Sequence, residues 1–177
     1  YLEGWELTDA GQRLASIYHE CDLLVAEALG AGLFDDLDPA AMAGLTSVFT
    51  YEHRSKETPS PPWFPSPRVR ERWLEIERLA EELREAEEDA GLPLTRLPDA
   101  TFFALAHAWA AGEGLEHILE EEELSGGDFV RNVKQLIDLL RQLSDAAESP
   151  ATAAVARQAA DRLFRGVVAA SSTVGAE

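Results

Sequence analysis

A single cysteine, Cys21, leaves no second thiol for an internal disulfide, so this chain must hold its fold by packing alone. Cys21 also falls inside an apolar helical pattern, where a buried, inert thiol is the expected reading. No apolar run approaches the roughly 18 residues needed to cross a bilayer, and no basic leader precedes a cleavage site. The composition therefore reads as a soluble, unexported, cytoplasmic protein with no membrane partner. No GxxxxGK[ST] phosphate loop and no acidic magnesium-binding motif occur, so the chain is not expected to hydrolyse ATP alone and holds no cofactor of its own. A di-metal bundle would need Glu-x-x-His pairs, yet Ser16, Thr50, Ala104 and Gly114 stand three residues before His19, His53, His107 and His117. Glu120 to Glu123 point around a helix in different directions and read as a solvated acidic turn, so no metal site is expected. No nucleophile stands beside a base in any recognisable motif, and no catalytic residue is assigned.

Basic residues are also scarce. Fifteen Lys and Arg face 33 Asp and Glu, a net charge of −18 that opposes binding to phosphate backbones. The imbalance is uneven, with −19 carried by residues 1–128 and +1 by residues 129–177. At 177 residues the chain is expected to form one domain. Tyr1 stands where an initiator Met would, and the chain reads as a piece of a longer protein.

What is present is helical periodicity, with no alternating strand pattern of any length, which predicts an all-α multi-helix bundle without significant sheet. Thr8 and Asp9 offer a cap before a stripe of Leu14, Ile17, Tyr18, Cys21, Leu24, Val25 and Ala28, which Gly30 and Gly32 end. Asp22 could recap the chain and split that stretch, and the sequence leaves both readings open. Asp38-Pro39 starts a helix through Met42, Leu45, Val48 and Phe49. The segment 57–67 holds five prolines and forms one long stiff connection, with Trp63 and Phe64 expected to pin it to the helices. Arg68 to Ala90 reads as a long helix with Val69, Trp73, Ile76, Ala80 and Leu83 inward, closed by Gly91 and Pro93. Leu97-Pro98-Asp99 opens a helix from Phe102 to Ala111, and a short acidic helix is expected around Leu115 to Leu119. Ser149-Pro150 starts a final helix carrying Val155, Ala159, Leu163 and Val167.

The most informative segment is SGGDFVRNVKQLIDLLRQL, from Ser125 to Leu143. Phe129, Val133, Leu136, Ile137, Leu140 and Leu143 make one apolar face, while Arg131, Gln135, Asp138 and Gln142 repeat at the same steps on the other. Long amide and cationic groups in such a row can hydrogen-bond a polar ligand lying along the helix; the plainer reading is a solvated face.

GDFVRNVKQLIDLLRQL resembles the C-terminal helical domain, known as DSHCT, of the superkiller-type DExH RNA helicases, in particular the actinobacterial HelY-like branch. LTDAGQRLASIYHECDLLVAEAL, LDPAAMAGLTSVFTYEHR, FFALAHAWAAGEGLEHIL and AADRLFRGVVAASS are similar to the domain's other elements in the same order. The resemblance covers nearly all of the chain as a single domain, 1–177, with residues 128–147 as a strand-guiding helix.

It implies a non-catalytic domain that packs against the motor and winged-helix regions of its own polypeptide and guides single-stranded RNA, or DNA, along that helix. ATP and magnesium would belong to the full-length helicase, and the isolated domain would be a monomer. The family's strand-contacting Arg, and the Glu three residues later, fall on Gln135 and Asp138. Gln for Arg exchanges a cation for an amide that can bond base or sugar edges, and Asp for Glu shortens the reach. Arg131 and Lys134 are then phosphate neighbours, with Gln142 continuing the row. Asn132 stands where close relatives would carry a larger residue. The competing expectation is an acidic helical interaction module that recruits a partner through the Pro-rich loop or the Glu120 to Glu123 turn.

Overall fold

The computed structural model describes residues 2–3, 6–54, 60–116 and 124–173. Among them the architecture is all-α, apart from a minimal antiparallel hairpin of β1 (Leu2–Glu3) and β2 (Glu6–Leu7). Thr8 accepts the Gly11 N–H at 3.1 Å and starts α1 (Asp9–Ala15). The chain does split before Asp22, and α2 (Asp22–Gly30) begins with Cys21 at its cap position. In the break, His19 Nδ1 accepts the Cys21 N–H at 3.1 Å, and Ile17 remains buried. Tyr18 departs from the expected apolar stripe: once the helix ends at Ala15 its side chain swings outward and is 82% exposed.

Asp38 accepts the N–H groups of Ala40 and Ala41 at 2.9 and 3.0 Å and launches α3 (Pro39–Thr50). Every residue from Ala40 to Phe49 is buried, which makes α3 the central helix of the bundle. Small side chains let its neighbours approach closely. A methyl group on Gly44 would stand 2.7 Å from Cζ of Phe103, in α5 (Phe103–Ala111). The long amphipathic helix α4 (Pro67–Asp89) covers one side through Val69, Trp73, Ile76 and Ala80, with Leu83 partly buried.

The segment that returns along α4 is tied down by polar contacts. Thr95 donates its N–H to Glu87 at 2.7 Å, and Arg84 donates to the Thr95 carbonyl at 2.6 Å. Arg96 then donates to the carbonyls of Phe49 and Tyr51 at the C-terminus of α3, where a cation is favoured by the unsatisfied carbonyls. Asp99 caps a 3-10 turn (Ala100–Phe102) that leads into α5, and Gly112 ends α5 at a φ of 107°. In the Pro-rich connection, half-buried Phe64 packs against Trp73 and Phe103, whereas Trp63 is 52% exposed and makes an edge contact with His107. Both aromatics therefore touch the helices, but only Phe64 is largely covered by them. Residues 57–59 of that connection, and the greater part of the acidic helix expected at 115–119, lie outside the described residues.

Ser125 accepts the Asp128 N–H at 3.1 Å and starts α6 (Gly126–Ala146), whose main partner is α7 (Pro150–Leu163). The expected single last helix is broken after Leu163, and α8 (Gly166–Thr173) follows. Phe164 adopts an inverse γ-turn, φ −81° and ψ 71°, in which Arg165 donates its N–H to the Leu163 carbonyl at 3.0 Å. The buried Trp109 indole N–H also claims that carbonyl, at 2.9 Å, so it is not left to the residue four positions on. Arg165 lies 3.6 Å over the Trp109 ring and donates to the Trp109 and Glu113 carbonyls. Val167 is thereby turned outward, while Val168 is fully buried. The buried apolar side chains of α2, α3, α5, α6 and α7 form one continuous cluster.

Candidate nucleic-acid interface

Helix α6 divides its surface sharply. Phe129, Val133, Leu136 and Leu140 have no exposed surface, and Ile137, Leu139 and Leu143 are nearly as buried, which anchors the helix against α3 and α7. Such a helix cannot roll, so the opposite row is held in a fixed direction. Asn132 is buried as well, and its amide donates to the Asp128 carbonyl at 2.9 Å, turning back on its own helix where a longer side chain would reach elsewhere.

The residues predicted to contact a strand lie on that outer row or beside it, with different degrees of freedom. Gln135 is exposed and makes no side-chain hydrogen bond among the described residues. Asp138 is exposed and accepts from the Gln142 amide at 2.9 Å. Gln142 is half-buried because its oxygen accepts the Tyr18 backbone N–H at 2.6 Å, which ties the α1–α2 break to the stripe. Arg131 pairs with Asp128 at 2.8 Å, an exposed contact worth little on its own and easily exchanged. Lys134 is half-buried and donates to the Ser171 carbonyl of α8 at 3.2 Å, so its ammonium helps hold α8. The uncommitted chemistry is thus concentrated at Gln135, with the exposed Asp138 and Arg131, each held by a single exposed partner on α6, available beside it.

Burial lowers the pKa of His19, despite Glu20, Asp22 and Asp138, which raise it; Arg96 lowers it further. Burial therefore disfavours the cationic form of the imidazole beside the stripe. Burial likewise pushes the Cys21 thiol up to about 11, the behaviour of an inert core cysteine. Among the described residues no cluster of three or more His, Cys, Asp or Glu could hold a metal ion. His117 and Glu120 to Glu123 lie outside them. No helix among the described residues is long and apolar enough to cross a membrane. The open groove of about 590 Å³ between Pro61-Pro62 and Leu97-Pro98 is lined by Glu52, Glu77 and Asp99 with one cation, Arg96, already engaged with backbone carbonyls. It is poorly suited to a polyanion.

An all-α domain, built on a fully buried central helix and one long amphipathic helix with a fixed polar row, is the class that fold and site define. Residues 4–171 match the DSHCT (NUC185) domain family, and the chain belongs to that family. It is 39% identical over 174 residues to the "Probable helicase HelY" of Mycobacterium leprae (strain TN), covering 93% of this chain and 19% of that protein. The "Probable helicase HelY" of Mycobacterium tuberculosis (strain CDC 1551 / Oshkosh) is 37% identical over 173 residues, covering 92% and 19%. "Exosome RNA helicase MTR4" of Mus musculus is 24% identical over 133 residues, covering 72% of this chain and 12% of that protein. The chain spans about a fifth of the length of the HelY relatives it matches. The resemblance read from the helical segments is thus confirmed at the level of the family.

Tyr18, with Val167, is a residue that sequence reasoning misplaced. The spacing of Tyr18 from Leu14, Cys21 and Val25 is that of a core position, and Asp22 marks where a second helix can start but not that the first already stops at Ala15.

Proposed function

We propose that this chain is the helical domain of an ATP-dependent RNA helicase, where it braces the motor lobes and guides the single strand along α6. The observation that carries the reading is the exposed Gln135 and Asp138 row on a helix whose other face is locked into the core. On this reading ATP and magnesium belong to the rest of that polypeptide; no GxxxxGK[ST] phosphate loop occurs in this sequence. The similarity to proteins named as helicases, one of them an RNA helicase, supports this assignment. Exposed Leu92, Leu94 and Leu97, on the segment that returns along α4, supply apolar surface for the bracing contact. Residues 129–177 carry a balance of only +1, and the motor lobes would supply the basic channel.

Photocrosslinking tests the guiding role. In the intact polypeptide, a single-stranded RNA carrying 4-thiouridine should crosslink to peptides from residues 128–147. Crosslinks confined to other regions would remove α6 from the strand path and leave the acidic interaction module as the better reading.

A further inference from the structure

Among the described residues Tyr18 is the most exposed large hydrophobic side chain, at 82%, and it sits beside the α6 polar row. Its backbone is not loose. The Tyr18 N–H is held by Gln142 Oε1 at 2.6 Å, and Gln142 Nε2 in turn holds Asp138 at 2.9 Å. The next residue, His19, is half-buried, and its ring accepts the Cys21 N–H, so the turn is fixed on both sides of the phenol. A rigid backbone beneath a solvated aromatic ring keeps the entropy lost on stacking small.

We propose that Tyr18 is a stacking platform for a base of the single strand that α6 guides. The inference rests on the strand-guiding reading and deepens it by adding a contact outside α6. Charge decides which part of the nucleic acid is bound. The groups around the turn are Glu20, Asp22 and Asp138, opposed by Arg96, which Glu20 already pairs at 2.8 Å, while burial disfavours a charge on His19. Such surroundings repel a phosphate, whereas the face of a base carries no formal charge and stacks on tyrosine in any sequence. A duplex hides its base faces in the helix stack. Tyr18 therefore favours unpaired bases, and the Gln135 amide on the neighbouring row is free to meet their edges.

The test uses the intact polypeptide, with fluorescence anisotropy on an oligouridine and on the same strand with its bases removed. Tyr18→Ala should weaken binding to the oligouridine by about 5- to 150-fold, the range for losing one base–aromatic stack, while Tyr18→Phe stays near wild type. On the abasic strand Tyr18→Ala and wild type should bind alike. Equal weakening on both strands would show that Tyr18 contacts protein elsewhere in the helicase, and would overturn the proposal. Unchanged affinity of Tyr18→Ala for the oligouridine would also overturn it. If Gln135→Ala with Asp138→Ala still weakens binding in that case, the strand-guiding reading survives; if neither variant has an effect, both fail.

Discussion

Replacing Gln135 and Asp138 together by alanine, in the intact polypeptide, separates a strand contact from a solvated face. Neither side chain supports the fold: Gln135 has no side-chain bond among the described residues, and Asp138 has one exposed bond to Gln142, four residues on. Losing that pair costs about 0.2–0.5 kcal/mol. At about 2–4 °C per kcal/mol for a domain of this size, Tm should fall by no more than about 2 °C. Losing the hydrogen bonds to a passing strand should cost about 1–3 kcal/mol, and so slow unwinding by about 5-fold to 150-fold. Strand displacement of a tailed RNA duplex with ATP present reads the rate, and thermal denaturation reads the fold. Leu136→Ala is the opposite control, because Leu136 has no exposed surface and its truncation should cost about 2–5 kcal/mol, or roughly 4–20 °C. Normal unwinding by the double variant at wild-type stability would refute the strand contact. A Tm loss matching that of Leu136→Ala would refute the claim that the row is free of structural work.

Trp109→Phe removes the N–H that holds the Leu163 carbonyl, and should destabilise the domain by about 1–3 kcal/mol in urea unfolding; no change would show that the indole N–H does not hold the α7–α8 break. Burial lowers the pKa of both His19 and His107, so the unfolded chain binds more protons once pH falls below about 6.5. Stability should therefore decline with pH from there through the lowered folded values, and His19→Gln with His107→Gln should flatten the slope between about pH 7 and 5.5; an unaltered slope would assign it to other groups. The isolated 177-residue chain, at −18, should bind single-stranded RNA weakly at physiological salt in anisotropy, and a submicromolar Kd would show that the domain needs no basic channel from elsewhere.

Local chemistry explains which elements were legible beforehand. Asp38-Pro39, Ser149-Pro150, Ser125 and Thr8 each place a capping oxygen where the first helical N–H groups need one, within a few residues of the helix they start. The periodicity of Phe129 to Leu143 requires one face to be buried whatever covers it, so the outer row could be read with it. Breaks within a continuing periodic pattern were legible only as an open alternative, as at Asp22, or not at all, as after Leu163. Apolar spacing runs from Leu14 through Tyr18 to Val25, yet the helix stops at Ala15, and the turn that follows is fastened by Gln142, distant in sequence. Likewise Val155 to Val167 keeps a four-residue step, but Trp109 takes the Leu163 carbonyl and Arg165 packs over its ring.

Sequence alone therefore determined the helical architecture, the family and the two-sided character of α6, because caps and hydrophobic periods act over single turns. Tertiary structure alone decided that Tyr18 faces solvent, that Lys134 and Gln142 are partly engaged in holding neighbouring segments, and that Gln135 bonds none of the described residues through its side chain. Those outcomes depend on which distant partner claims each polar group, and a sequence reveals that only after the chain has brought the groups together.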